Sequence, residues 1–461
     1  MFNLLRECLF KLRLIVLIWL SIIFLFCFSI VDVNAASDKS IKVGEPIKIG
    51  ISGPMKFPAG EHMWIGAQIA AEEINSNGGM LIGGELREIK LFKADSNEYL
   101  SIPDAVSALE RLIAVNKVDF IIGGARSEAI LAQMEVMADN KVVYIMSGGG
   151  SPKLTMQIAK DYDKYKYFFR MTTPHVGNQI KSLSAALDVC GVKIRKDLGI
   201  QTPKVAIVME KIAAVDAMID VAEKTLPQIG MEIVGVWRPS PTANDVTAEL
   251  TAVKNSGAHI IFTCTTGPVG IVLAKQWGEL QIPALMIGVN VEGQVKRYWE
   301  ATDGMCDYEI ILNPVVRAKV TGKTISVYDK YVEKTGDYPL YTGIGAYDGI
   351  QVVLDAAQRA GTFESNALVA ALEDTDYLGV AGRIQFYPRN HQIPHDLKYG
   401  SKSSTIFVQQ WRSGELVTVW PNGEAQNPGL GLGPGWEGVR FEGTVDPELT
   451  PVMINYWKGK K

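Results

Sequence analysis

The feature that most constrains this chain is a strand–helix–strand unit between Asp119 and Thr155. The short apolar run Phe120-Ile121-Ile122 breaks at Gly123-Gly124. A helical pattern follows over Ser127 to Asn140, with Ile130, Leu131, Met134, Met137 and Ala138 spaced as one helix face. A second apolar run, Val142 to Met146, ends in Ser147-Gly148-Gly149-Gly150-Ser151-Pro152. Two short apolar strands flanking one helix predict a parallel pair buried on both faces. The loops after both strands then lie on one sheet edge, where open α/β sheets bind ligands. Glycines let backbone N–H groups approach a ligand closely, and Ser127 falls near a helix N-terminus. Both features favour an anion such as a carboxylate. Glycine-rich strand-to-helix loops also occur in α/β folds that bind nothing there, so the pattern alone leaves both readings open.

The same alternation extends to either side. Ile47 to Ile51 predicts a first strand, closed by Ser52-Gly53-Pro54, and a helix runs from about Glu61 through Ile74 to the stop Asn77-Gly78-Gly79. A strand at Ile89 to Phe92 and a helix from Pro103 through Ala114 lead into the central unit. The order β-α-β-α-β-α-β is that of a parallel, doubly wound sheet. After a turn-rich connection the pattern restarts. Expected strands at Lys204 to Met209, Glu232 to Val236, His259 to Phe262 and Ala284 to Ile287 alternate with expected helices from about Val215, Asp245 and Val269. The fold class is therefore α/β, with two lobes of the same doubly wound architecture. Further helices are expected from Gly322, Tyr347 and Ser365, then an antiparallel pair at Ile406 to Gln410 and Leu416 to Val419. The stretch after Pro421, rich in Gly, Pro and Asn, is expected to be extended and irregular.

At 461 residues the chain has room for two sizeable cores. Its N-terminus stands apart: Arg6, Lys11 and Arg13 precede an apolar run from Leu14 to Val31, and Val33-Asn34-Ala35 has the small-residue character of a cleavage site. This predicts a secretory signal peptide over residues 1–35 and export to the periplasm, with an uncleaved anchor as the alternative. The first 35 residues carry three cations against two anions, so the formal charge of −4 becomes −5 once they are removed. A mildly acidic chain with no basic block offers no footprint for nucleic acid. Cys190, Cys264 and Cys306 show no zinc spacing and are expected as buried small hydrophobes, although one disulfide would be possible in an exported protein.

No catalytic constellation assembles. The glycines from Gly429 to Gly433 follow no strand and open no helix, which argues against a dinucleotide loop. His391 and His395 are four apart, but Pro394 between them disfavours a shared helix face, so no metal site and no cofactor is expected. His62, near the start of the first helix, reads as a ligand contact or a rim residue. Phe57, Trp64, Tyr144 and Tyr341 lie near expected loops and could wall an apolar pocket or pack in the core. Arg126, in Gly-Gly-Ala-Arg-Ser, could pair with an acidic ligand, with the opposite lobe, or turn to solvent.

Four segments carry a family resemblance: Gly60 to Gly79 (GEHMWIGAQIAAEEINSNGG), Phe120 to Ser127, Val142 to Thr155, and Gly343 to Ile350 (GIGAYDGI). They resemble type I periplasmic binding proteins, and most closely the leucine/isoleucine/valine-binding branch that serves ABC importers. The resemblance implies two lobes joined by a three-segment hinge, which close on a small solute and pass it to the permease membrane subunits without catalysis. It implies a first lobe of residues 46–172 plus 310–376, a second of 173–309 plus 377–421, and a tail at 422–461. It assigns Ser127, Gly148 and Gly150 to the solute carboxylate, with Ala125, Arg126, Gly149, Ser151, Phe57 and His62 around them. In the second lobe it points to Thr266 or Gly267, to Asn290, and to Glu292. Two departures stand out. Gly150 replaces the family's usual threonine, and Asn290 replaces the acid that receives an ammonium. A buried ammonium without a counter-charge is costly, so an aromatic acid, another carboxylate or an amide fits as well as a branched-chain amino acid. A monomer is expected, and a ligand-sensing ectodomain of a membrane-anchored receptor is the alternative function.

Overall fold

The computed structural model describes residues 42–172, 174–212, 215–424, 427 and 435–460. The expected signal peptide and most of the glycine run near Gly431 lie outside them.

Five strands form the first sheet: β1 (Ile47–Gly53), β2 (Ile89–Asp95), β3 (Phe120–Gly123), β4 (Val143–Met146) and β5 (Phe168–Arg170), in the order β2-β1-β3-β4-β5 and all parallel. Seven form the second: β6 (Lys204–Met209), β7 (Glu232–Trp237), β8 (Ile260–Thr265), β9 (Leu285–Asn290), β10 (Ile310–Asn313), β11 (Phe407–Arg412) and β12 (Glu415–Trp420). Their order is β7-β6-β8-β9-β10-β11-β12, with the last two pairings antiparallel. The first five strands of each sheet thus share one order, whose direction reverses between the first and third strands. In such sheets the strands' carboxyl ends at that reversal make the natural binding crevice.

The helices that matter for the site are α1 (Pro58–Ser76), α2 (Ile102–Ala114), α3 (Ser127–Asn140), α4 (Val176–Leu198), α5 (Thr324–Thr335), α6 (Tyr341–Ala360) and α7 (Pro451–Lys458). Pro58 at its first position suits the start of α1, because a proline's missing N–H is an unpaired donor there anyway. Helices α1 and α6 pack backbone to backbone. A side chain at Gly66 would come within 1.9 Å of the Gly343 carbonyl oxygen, so both family-like segments keep glycine at this crossing.

Three features differ from expectation. Helix α4 lies in a stretch for which no element was expected, between the turn-rich connection and Lys204; Asn178, Ser182, Ser184 and Asp188 are buried on its inner face and interrupt the apolar pattern that marks a helix in sequence. Ile310–Asn313, placed by analogy in the first lobe, pairs with Phe407–Arg412 in the second sheet. Residues 377–398 stay with the first lobe: Asp348 of α6 accepts the Val380 N–H at 2.9 Å, and Arg170 of β5 pairs with Asp396 at 2.9 Å. The chain therefore passes between sheets after β5, after β10 and before β11. The described part of the tail also has structure. Trp436 stacks on Trp420 at 4.9 Å, and Leu449 and Met453 enter the second lobe's core. Cys190, Cys264 and Cys306 are free and buried.

Candidate functional site

The carboxyl ends of β3 and β4 bring two loops together, as the sheet order requires. A side chain at Gly148 would lie 2.9 Å from the Ala125 Cα, so these loops touch through their backbones. Ser127 opens α3, and its hydroxyl accepts the Ser151 N–H at 3.3 Å. Gly149 has a φ of +74°, a conformation that favours glycine. Among the described residues, the N–H groups of Gly149 and Gly150 meet no acceptor in the protein. They lie beside a hydroxyl and the N-terminus of a 14-residue helix, a combination suited to an anion. At Gly150 a side chain would meet the Gln179 amide nitrogen at 2.9 Å. An α4 side chain of the second lobe thus occupies the space that a threonine would need. Gln179 was not expected, because α4 itself was not.

Glu98, also absent from the sequence reading, lies beneath the first loop. It is fully buried; one carboxylate oxygen accepts the N–H groups of Ala125 at 3.1 Å and Arg126 at 2.9 Å, and the other the Ser96 hydroxyl at 3.0 Å. Burial pushes its pKa up, and these bonds pull it part of the way back. The Ala125 and Arg126 N–H groups are therefore committed inside the protein. The Arg126 guanidinium also stays on its own lobe, donating to the Tyr99 carbonyl at 3.1 Å and to Glu128 at 3.2 Å.

His62 is buried rather than at a rim. It is 3 % exposed, its Nδ1 accepts the Leu340 N–H at 3.1 Å, and its ring stacks on Tyr331 of α5. Burial lowers its pKa to about 4. Tyr144 is likewise a core strut, donating its hydroxyl to Gln133 at 2.9 Å, while Trp64 lies under the Lys93 ammonium. Phe57 precedes α1 and lies edge-on to Tyr99 at 5.0 Å.

The two lobes meet here. Ala59 and Leu340 of the first lobe cluster with Val295 of the second, joined by Ala125, Tyr341 and Val291. Asp337, between α5 and α6, accepts the Lys296 N–H and lies 3.9 Å from Arg297. In the second lobe, Thr266 donates its N–H at 2.9 Å and its hydroxyl at 2.5 Å to the buried Glu210, whose pKa burial raises. Gly267 faces open space.

Asn290 is 2 % exposed and committed inward, which removes it from the contacts expected of it. Its amide donates to Tyr298 at 2.7 Å and to Glu309 at 2.9 Å, and its carbonyl accepts the Gly293 N–H at 3.2 Å. Glu309 also accepts the Tyr298 hydroxyl at 2.7 Å, and burial lifts its pKa to about 7. Glu292 remains half-buried. Desolvation raises its pKa against the pull of Arg297, and its charge in turn adds to the rise at Tyr99 across the gap.

Two parallel-sheet lobes, three crossings between them and strand ends that meet over a polar loop pair define a bilobed binding fold of the type I periplasmic kind. The family model for periplasmic binding proteins matches residues 46–404, and the chain belongs to that family. It is 22 % identical over 398 residues to Leu/Ile/Val-binding protein homolog 7 of Brucella suis, covering 85 % of this chain and 94 % of the relative. Among solved structures, it superposes on a branched-chain amino acid transporter substrate binding protein of Streptococcus pneumoniae in complex with isoleucine. That match has a TM-score of 0.64 at 21 % identity and covers 80 % of this chain and 97 % of the other. A solute binding protein of R. palustris in complex with benzoate matches with a TM-score of 0.64 at 16 % identity, covering 81 % and 95 %.

Proposed function

We propose that this protein is the exported solute-capturing component of an ABC importer, and that it binds a small carboxylate between its lobes. The observation that carries the reading is the pair of unpartnered N–H groups at Gly149 and Gly150 beside the Ser127 hydroxyl at the start of α3. These donors suit a carboxylate, and Phe57, Tyr341 and Val291 supply apolar walls. The three crossings support closure by a hinge motion, after which the loaded form would meet the permease.

Asn290 favours an acid without an ammonium. With its side chain committed to Tyr298, Glu309 and Gly293, the second-lobe acids beside the expected contacts are Glu292 and Glu210, which holds Thr266. The relatives include binders of isoleucine and of benzoate, so both classes belong in the test. A thermal-shift screen of residues 36–461 against amino acids, aromatic and aliphatic acids, and the corresponding amides decides between them, because a ligand bound only by the folded state raises the melting temperature. The expected result is a shift with carboxylates that lack an ammonium. A shift confined to α-amino acids would assign their ammonium to Glu292 and overturn the preference. No shift with any carboxylate would overturn the proposal.

A further inference from the structure

The Gly148–Ser151 loop is held from behind by a charge that the binding site itself does not explain. Arg170 ends β5 and is fully buried. Its guanidinium donates to the Gly149 carbonyl at 2.5 Å and to the Ser151 carbonyl at 2.7 Å, and lies 2.9 Å from the Asp396 carboxylate. Asp396 is equally buried and accepts the Thr155 hydroxyl at 2.9 Å. Its neighbour His395 stacks on Phe169 at 4.0 Å and lies 2.9 Å from Glu373. A buried ion pair is a costly way to hold a loop, since both charges leave water. Arginine's rigid fork can grip two carbonyls and a carboxylate at once, which lysine's single ammonium cannot reproduce.

Peptide geometry gives the grip a consequence. In a trans peptide the C=O and the following N–H point in opposite directions. With the Gly149 carbonyl fixed on Arg170, the Gly150 N–H must face away from it. The loop is also tied across the lobes, since the Gly150 carbonyl accepts the Val176 N–H of α4 at 2.8 Å. Arg170 itself immediately precedes the first crossing between sheets, and Asp396 lies just before the third.

We propose that Arg170, held by Asp396, is the positioning residue that pre-orients the Gly150 amide for an anion and ties that loop to two of the three crossings. The anion part rests on the function proposed above; the loop-holding part does not. Two measurements separate them. The first is hydrogen exchange on ligand-free residues 36–461, comparing wild type with Arg170→Lys and Asp396→Asn. Ser151 donates to the Ser127 hydroxyl and Val176 donates to the loop, so both amides report its placement. In each variant these two should exchange at least about tenfold faster while β1 and β6 keep their protection. Unchanged exchange at both amides would overturn the proposal, as would a rise spread evenly over both lobes, which marks a general stability element. Because Asp396→Asn leaves the guanidinium in place, it keeps the test open if Arg170→Lys fails to fold.

The second measurement is calorimetric titration with benzoate and benzamide. Arg170→Lys should weaken benzoate at least about tenfold, a loss of about 1.4 kcal/mol, and change benzamide by much less. Equal losses for both probes would overturn the anion role. If wild type binds neither, the carboxylate with the largest thermal shift and its amide replace them as probes, and hydrogen exchange decides independently whether Arg170 holds the loop.

Discussion

Replacing Glu309 with glutamine tests whether the second lobe's half of the cleft rests on a buried acid. Glu309 precedes β10 and is 1 % exposed. Its carboxylate takes bonds from Asn290 at 2.9 Å and Tyr298 at 2.7 Å, and among the described residues no cation pairs with it. Those neutral donors offset only part of the desolvation, so its pKa rises from 4.5 to about 7. Folding then favours the protonated form. The stabilisation is complete below the ordinary glutamate range and is lost as pH rises through about 7. Between about pH 5 and about pH 8 this group alone should remove about 2.5 kcal/mol of stability. Glu98, Glu210 and Asp348 also have raised pKa values, and variant and wild type share their contribution. Urea unfolding followed by tryptophan fluorescence, extrapolated to water at both pH values, isolates the difference. Glu309→Gln has no carboxyl proton to lose in this window, so its fall in stability should be smaller by about 2.5 kcal/mol. Equal falls in the two proteins would refute the reasoning and place Glu309 in contact with water or a cation. The link to function is short: Asn290 joins this acid to the Gly293 N–H, in the turn that carries Val291, Glu292 and Val295 to the first lobe.

Gly149→Ala should cost about 1–3 kcal/mol in denaturant unfolding, because φ is +74° and the new methyl would lie 2.8 Å from Ile130; a neutral result would contradict the left-handed loop. His62→Phe should flatten the acid limb of the stability profile. The pKa of His62 is depressed from 6.5 to about 4, so wild type should lose about 3 kcal/mol as pH falls through that window. The phenyl ring would also strand the Leu340 N–H, lowering stability at neutral pH by about 1–3 kcal/mol, as urea titrations at several pH values would show. Trp436→Ala should cost about 3 kcal/mol and lower the melting temperature measured by calorimetry, since the indole is 4 % exposed and stacked on Trp420; no change would mean that the tail is dispensable to the second lobe.

The strands and helices that sequence patterning located are those made of continuous apolar runs or closed by a sharp stop. The strands at Phe120 and Val143 show the first, and the end of α1 near Asn77 the second. Helix α4 escaped because Asn178, Ser182, Ser184 and Asp188 lie buried on its inner face and break the apolar pattern there, and with it went Gln179. The candidate loops were legible through their glycines and through Ser127, because turn chemistry is local. The carboxylates beneath them were not. Glu98, Glu210 and Glu309 read as ordinary surface acids until the chain folds over them, and their partners lie 27, 56 and 19 residues away. The same blindness misread Asn290 and His62, whose neighbours and loop positions suggested a cleft while tertiary packing turned both inward. Arg170 drew no notice because a single arginine after an apolar strand is common, and its buried partner Asp396 is distant in sequence.

The most direct test of the account is a crystal structure of residues 36–461 with the carboxylate that gives the largest thermal shift. The account predicts the solute between the lobes, its carboxylate oxygens about 3 Å from the Gly149 and Gly150 nitrogens and from the Ser127 hydroxyl. A solute whose carboxylate lies elsewhere, with those two N–H groups bonded to water or to the protein, would contradict it.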